Sequence, residues 1–329
     1  MKIAIIDGNN LSFKIFSAMK ESRGGLLKST MGVPTTVIFG MLRTLNFLAM
    51  KTSFDKVVIC WDVSGSYYRK KLFKLYKAHR KYVDMKDYFE ELDSARMYLR
   101  KLGINQAIAK GIEADDVIGF LSHKFVDMGH SAVIVSDDKD FFQVTKHCVK
   151  IYRPVKDEFI NESEVFEQFG MKPHLLPRIK AITGEDTDFI PGCCDINEKD
   201  KKLIKCGLGE KTAMKLLAGK KDLKDAIENC ELEKWKDKLK EKRKQIFLSY
   251  KLAKIRTKVD KYQDWERPLL YMAIEDAFEE RKIKVRKVSR LINMLEIKAM
   301  NVPFILKRLG VKLDVEINEK ETEALRIKI

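Results

Sequence analysis

The chain has 329 residues, enough for one large domain or two modest ones, and carries 64 Lys and Arg against 48 Asp and Glu, a formal charge of +16. That excess calls for a polyanionic partner, and nucleic acid fits better than a membrane surface: no uninterrupted apolar stretch reaches the about 18 residues of a spanning helix, and the opening MKIAIIDGNN meets an aspartate too early for a secretory leader. Six scattered cysteines without a CxxC pair imply reduced thiols in a cytoplasm, and Cys193, Cys194 and Cys206 together with His174 match no zinc spacing.

Along the first half, short apolar runs at 2–7, 56–62, 104–109, 131–137 and 148–153 read as strands, and stretches near 34–50, 84–102 and 114–129 read as helices. Near-continuous apolar strands alternating with helices predict a doubly wound α/β domain with a parallel sheet covered on both faces. After about residue 160 strand signals become rare, and 162–184, 210–229, 231–257 and 287–310 look helical. The run KDKLKEKRKQ (236–245) reads first as a solvated helix face. No repeat or low-complexity linker separates the halves, so close packing is expected.

Acidic residues close the strands. Asp7 ends the first, Asp62 the second, Glu113, Asp115 and Asp116 open a helix, and Asp138 and Asp140 follow the run VIVS. Glu185 and Asp188 lie further on, in GEDTDFIPG. Taken singly, an aspartate after a strand makes a turn or caps a helix. Taken together, the first four groups, from Asp7 to Asp140, arrive at one edge of a parallel sheet, where seven carboxylates would repel and raise one another's pKa values. Divalent cations resolve that conflict, and hard oxygen donors favour Mg²⁺ or Mn²⁺. Two such ions about 4 Å apart activate water and steady the leaving oxygen of a phosphodiester.

In order, IIDGNN, WD, YKAHR, GIEADD, SDDKDFFQ, GEDTDFIPG and GLGEKTAMKLL resemble the 5′-nucleases: flap endonucleases, phage 5′-exonucleases and ribonuclease H proteins, and the nuclease domain of bacterial DNA polymerase I. The resemblance implies a PIN-like α/β core at 1–160 with a helical arch at about 63–95. It also implies a helical region at 161–310 with a helix–hairpin–helix (H3TH) element, and leaves 311–329 as a tail. It assigns Asp7, Asp62, Glu113, Asp115 and Asp116 to a first metal, and Asp138, Asp140 and Asp188 to a second. The family writes GDxxDN where Glu185 and Phe189 stand here, and Glu185 keeps the charge one methylene further out. The stretch CCDINEKDKKLIKC (193–206) is an insertion, either a longer DNA-contacting loop or a surface excursion.

The segment SYYRKKLFKLYKAHRKY (66–82) is dense in cations and aromatics. It reads as an amphipathic helix with a solvated basic face, or as the arch that draws in a 5′ single strand. On the second reading Arg69 and Lys70 attract the strand, and Tyr67, Tyr68 and Tyr76 stack its bases. The resemblance makes Lys77 and Arg80 the pair that grips the scissile phosphate. GLGEKTAMKLLAG (207–219) reads as the hairpin: Gly207 and Gly209 permit a tight turn, and Lys211 and Thr212 begin a helix whose N-terminus favours phosphate. In the family this turn also carries K⁺. Contacts to phosphates alone imply structure specificity rather than sequence reading.

The expected protein is thus a monomeric, metal-dependent 5′-nuclease acting on DNA or RNA–DNA with a 5′ end or flap. It would work in the cytoplasm, the host's if a phage encodes it, with replication proteins as partners. Its rivals are a PIN-type ribonuclease, which would lack the hairpin and YKAHR, and a non-catalytic DNA-binding protein, which should have lost acidic residues.

Overall fold

The first-half apolar runs form one sheet, and its order explains where the charge collects. The computed structural model describes residues 1–78, 85–197, 199–200, 202–204, 206–297 and 300–314. In it β1 (Lys2–Asp7), β2 (Lys56–Trp61), β3 (Asn105–Ile108), β4 (Ser131–Val135) and β5 (Val149–Arg153) lie parallel. A short β6 (Glu158–Ile160) pairs antiparallel at the edge. The spatial order is β3-β2-β1-β4-β5-β6. The chain therefore moves outward from β1 in one direction and restarts on its other side with β4. Such a reversal leaves a crevice beyond the carboxyl ends of the two central strands, here β1 and β4. Asp7 and the Ser136–Asp138 turn are delivered into it by topology alone.

Around the sheet run α1 (Gly8–Lys20), α2 (Thr36–Lys51), α3 (Tyr67–Leu72), α4 (Lys86–Lys101) and α5 (Ala114–Asp127). Helices α2, α4 and α5 follow the sequence reading closely, whereas α1 has no counterpart in it. Its first turn is Gly-Asn-Asn, poor helix formers, and the signal that remains is Asp7, which caps the helix by accepting the Asn10 N–H at 3.1 Å. The segment 66–82 is not one long helix among the described residues: α3 ends at Leu72 and turns follow to Ala78. Arg80 and the rest of 79–84, like 315–329 of the expected tail, lie outside the described residues.

The second half is helical but more finely divided than its periodicity suggests. The stretch 162–184 breaks into α6 (Glu162–Phe169) and α7 (Pro177–Thr183), because Gly170 adopts φ +64° and Pro177 opens a new helix. Next comes a two-stranded hairpin, β7 (Asp195–Asn197) with β8 (Lys202–Ile204), inside the insertion. The remaining helices are α8 (Glu210–Leu217), α9 (Leu223–Glu228), α10 (Glu233–Glu241), α11 (Arg243–Ala253), α12 (Glu266–Phe278), α13 (Val285–Met294) and α14 (Val302–Arg308). A small parallel pair, β9 (Lys282–Ile283) and β10 (Lys312–Leu313), closes the described chain.

Alternation along β1 sends Ile3 and Ile5 to one face and Ala4 and Ile6 to the other. The first face packs on α5 and continues without a break into Ala213, Ala226 and Ile246, so the helical half shares the core of the sheet. The second is covered by α2, α4, α13 and α14.

Gly8, next to Asp7, has no room for a side chain: a Cβ would lie 2.4 Å from the Trp61 ring. Trp61 cannot yield freely, since its indole N–H donates to Gln106 Oε1 at 2.8 Å. Gly8→Ala is therefore expected to destabilise the fold by about 1–3 kcal/mol, measured by chemical denaturation, and to displace the neighbouring carboxylate. Unchanged stability would show that Trp61 has somewhere to go.

Candidate metal centre and nucleic-acid interface

Asp7 is buried, with Oδ1 capping α1 and Oδ2 accepting the Ser136 hydroxyl at 2.9 Å, a bond that ties the end of β1 to the turn after β4. Asp62 accepts the Gly65 and Ser64 N–H groups at 2.7 and 3.1 Å, while its own N–H donates to Asn9 Oδ1. Glu113 and Asp115 stand at the start of α5, where the helix dipole favours negative charge. Asp138 begins the 3₁₀ turn Lys139–Val144 and accepts the Asp140 N–H at 2.8 Å. Glu185 and Asp188 come from a loop pinched shut by paired backbone bonds between Glu185 and Ile190, at 2.7 and 2.9 Å. Both glycines of that loop are obligatory, because a Cβ on Gly192 (φ +56°) would meet Gly184 N at 2.2 Å. Phe189 also has positive φ (+55°), costly for a bulky residue, and is held by burial against Phe73.

These carboxylates sense one another. Burial pushes Asp7 up to about 6, helped by Asp138 and opposed by its hydrogen bonds. Asp115 is raised well above the usual range by burial and then by Asp7, Asp138 and Glu113, against the pull of Lys77. Burial and Glu113 raise Asp62. Asp140 is pushed up to about 7 by burial, Asp138 and Glu185, with Lys180 opposing. Asp7, Glu113, Asp115 and Asp138 thus lie close enough for their charges to act on one another, as do Asp138, Asp140 and Glu185.

Two lysines are set into that chain. Lys77 bonds Glu113 at 2.5 Å and lies 3.5 Å from Asp188, and its backbone N–H donates to Asp188 O at 3.0 Å. Burial works against its ammonium, but Glu113 and Asp188 outweigh this and hold it well above the usual range. Lys180 on α7 pairs with Asp140 and, at 2.7 Å, with Glu185. The sequence reading missed Lys180; the signal available was a lysine one turn before the end of the helix that feeds an acidic loop. With these ammonium groups in place, among the described residues no three His, Cys, Asp or Glu side chains close on a common point as a metal cage. The donor set nevertheless fits hard divalent cations: it is all oxygen, burial and neighbouring acids raise its carboxylates above their usual range, and lysines supply part of the balancing positive charge.

An acid whose pKa rises on folding binds more protons in the native state, so in metal-free protein Asp7 and Asp140 oppose folding increasingly as pH rises from about 4 through about 7, and Asp115 acts in the same direction. A cation must displace those protons. Divalent-cation affinity is therefore expected to rise steeply between about pH 5.5 and about pH 8, with proton release, read by calorimetry in buffers of different ionisation enthalpy. Affinity that stays flat across that window would contradict the coupling.

Three expected site residues are corrected by the geometry. Asp116 does not face the crevice: it is fully buried, and both oxygens are taken by Arg69, at 2.8 and 2.9 Å, and by Arg256, at 2.9 Å from Nε and 3.0 Å from its backbone N–H. Arg69 is not an exposed strand-binding cation; it is buried between Glu113 and Asp116. Tyr76 is not a stacking platform, since it is buried with its hydroxyl on Glu113 and Asp188. Tyr68 is half-buried, with the Arg256 guanidinium 4.4 Å from its ring centroid. Tyr67 remains open, its ring beside Trp265 at 5.9 Å, and Lys70 is exposed.

In the helical half, Gly207 turns the chain with φ +78° and Gly209 is the N-cap of α8. Space around both is empty out to 4 Å from an added Cβ. Lys211 is exposed and Thr212 half-buried on the first turn, so the turn offers its backbone outward.

A parallel sheet with an acidic crevice, carried on a helical region with an exposed glycine turn, is the architecture of flap-endonuclease-type nucleases. Residues 2–170 match the model for the 5′-3′ exonuclease N-terminal resolvase-like domain, and residues 171–277 that for the 5′-3′ exonuclease C-terminal SAM fold. A 5′-3′ exonuclease of Aquifex aeolicus is 29% identical over 301 residues, spanning 90% of this chain and 92% of that one. A 5′-3′ exonuclease of Buchnera aphidicola is 31% identical, spanning 77% and 86%. The fold is shared with the T5 D15 flap endonuclease, whose structure was solved with DNA and metal ions: TM-score 0.67, 20% identity, 85% of this chain and 100% of that one. The chain belongs to the 5′-3′ exonuclease family, and it is a nuclease.

Proposed function

We propose that this nuclease hydrolyses phosphodiesters near the free 5′ end of a duplex, as a structure-specific exonuclease or flap endonuclease. The observation that carries the reading is the meeting of carboxylates from separate segments of the chain: Asp7 bonds Ser136 in the turn after β4, Lys77 bridges Glu113 and Asp188, and Lys180 joins Asp140 to Glu185. Asp7, Asp62, Glu113 and Asp115 would hold one Mg²⁺ or Mn²⁺, and Asp138, Asp140, Glu185 and Asp188 a second. Such ions, when bound, supply a water of lowered pKa and offset charge on the phosphate. Lys77 would exchange Glu113 for the scissile phosphate and steady its developing charge, with Arg80 as its forked partner. Tyr67 and Lys70 would receive the 5′ strand. Gly207, Gly209, Lys211 and Thr212 would grip duplex phosphates, with K⁺ at the turn, fixing the distance from duplex to cut. In this division the chain to about residue 160 cuts, with the Glu185–Asp188 loop added to it, and the rest of the helical region docks. Primer removal on RNA–DNA, as a monomer in the cytoplasm beside replication proteins, is the setting that fits.

The test is a duplex with a labelled 5′ flap, incubated with Mg²⁺ or with EDTA. Short labelled 5′ fragments that appear only with the metal are expected. Tight binding without cleavage in Mg²⁺ and in Mn²⁺ would overturn the proposal, and flap, nicked and RNA-primed duplexes compared side by side would rank its substrates.

A further inference from the structure

Three of the cysteines meet outside the acidic crevice. Cys193 and Cys194 follow the Gly192 turn, and Cys206 ends the β7–β8 hairpin that starts from them. Cys206 Sγ lies 3.0 Å from Cys193 Sγ and 3.2 Å from Cys194 Sγ. Two thiolates on a tetrahedral zinc with bonds of about 2.3 Å would stand about 3.8 Å apart, so this spacing is too short for a shared metal. Among the described residues no group of three potential ligands is arranged to hold one, and His174 sits elsewhere, beside Arg178 and Lys172. What remains is thiol chemistry.

The three sulfurs are not equivalent. Cys193 and Cys194 are buried on a fixed turn: the Cys193 N–H donates to Ile182 O at 2.9 Å, the Cys194 N–H to Pro191 O at 3.0 Å, and Gln245 Nε2 to the carbonyls of Gly192 and Cys194 at 2.9 and 2.6 Å. Cys206 is partly exposed. The neighbouring thiols hydrogen-bond to it, the Leu208 N–H follows, and Lys238 adds positive charge, all of which favour its thiolate. It is the sulfur a reagent reaches, with two potential resolving thiols behind it.

We propose that Cys206 and the Cys193–Cys194 pair form a reversible dithiol–disulfide switch at the base of the hairpin, with low-molecular-weight disulfides as the oxidant. The Cys206 thiolate attacks one sulfur of RSSR, the S–S bond breaks and RS⁻ leaves. A thiol of Cys193 or Cys194 then gives up its proton and attacks Cys206 Sγ, expelling the second RS⁻ and closing an intramolecular S–S bond. Two protein thiols and RSSR become one protein disulfide and two RSH, a two-electron exchange. The bond ties Cys206 to the rigid turn and so restrains Gly207, the next residue. Oxidation thereby acts on duplex docking and leaves the acidic crevice untouched, a consequence that rests on the docking role given above to Gly207 and Gly209.

The experiment treats the reduced full-length protein with glutathione disulfide, quenches with an alkylating reagent and maps the peptides by mass. The expected product has lost two hydrogens and joins Cys206 to Cys193 or Cys194, is reversed by dithiothreitol, and is absent from Cys206→Ser but present in Cys148→Ser, which removes an exposed solitary thiol. A stable glutathione adduct on Cys206, or three freely alkylated thiols, overturns the proposal. The oxidised protein should bind a nicked duplex about fivefold or more weakly than the reduced protein. A cross-link that leaves Kd unchanged overturns the switch alone, whereas a Gly207–Gly209 turn whose lysine, Lys211, can be replaced by Glu without weakening duplex binding in the reduced protein overturns the docking reading beneath it.

Discussion

Asp140→Asn should lower cleavage by more than about 100-fold while leaving duplex affinity within about tenfold, because changes even one shell out from a metal typically cost about 10–100-fold and this carboxylate is proposed to serve the second ion or hold its waters. Asp140 sits among Asp138, Glu185 and Lys180 with its pKa pushed up to about 7, first by burial. The amide preserves the volume and can still accept from Lys180, so the fold has little reason to change. What it cannot supply is negative charge against a divalent cation. The wild-type rate should therefore fall as pH drops through the raised carboxylate range, the acids being lost as ligands when they take up protons. Duplex docking is proposed for other residues, those of the glycine turn, and should survive. Single-turnover cleavage of a labelled flap, a binding isotherm in EDTA and a thermal melt separate the three effects. A variant that cuts near the wild-type rate removes Asp140 from catalysis.

Much of this site is visible in the sequence because parallel sheets make it so. Once 2–7 and 131–137 are strands of one sheet, Asp7 and Asp138 must emerge on one edge, and period and topology do the rest. The same local reasoning finds the exposed turn at 207–209, since φ +78° favours glycine over residues with a side chain. It fails where a side chain's partner is remote. Asp116 stands one residue from Asp115 and is equally acidic, yet a helix turns successive residues to different faces, and its partner Arg256 lies 140 positions away. Tyr76 looked like a stacking residue by type alone; burial against Glu113 and Asp188 decides otherwise. Lys180 was hidden because lysine is common on helices and only the folded loop brings Asp140 to it.

The largest expected loss of stability follows from that misread aspartate. Asp116 joins Arg69, whose Nε also donates to Leu252 O at 2.8 Å, to Arg256, whose guanidinium makes two further bonds of 3.0 Å to the fully buried Glu266. Tyr262 seals the group, donating its hydroxyl to the carbonyls of Arg256 and Asp116 at 2.6 and 3.0 Å. The network therefore fastens α3, α5, the segment after α11 and α12 to one another. Burial alone would raise the Asp116 pKa, but Arg69 and Arg256 outweigh it and hold it below the usual range. Its contribution is accordingly present above the unfolded-state value of about 4 and disappears as pH falls toward the lower folded value. Asp116→Ala leaves two buried guanidinium groups short of an anion, which costs about 3–5 kcal/mol and lowers Tm by about 10 °C. The measurement is a thermal melt in EDTA and again in Mg²⁺. A structural hub gives the same large loss in both. If Asp116 instead served a metal, the loss would vanish in EDTA, and the ion network would be incidental.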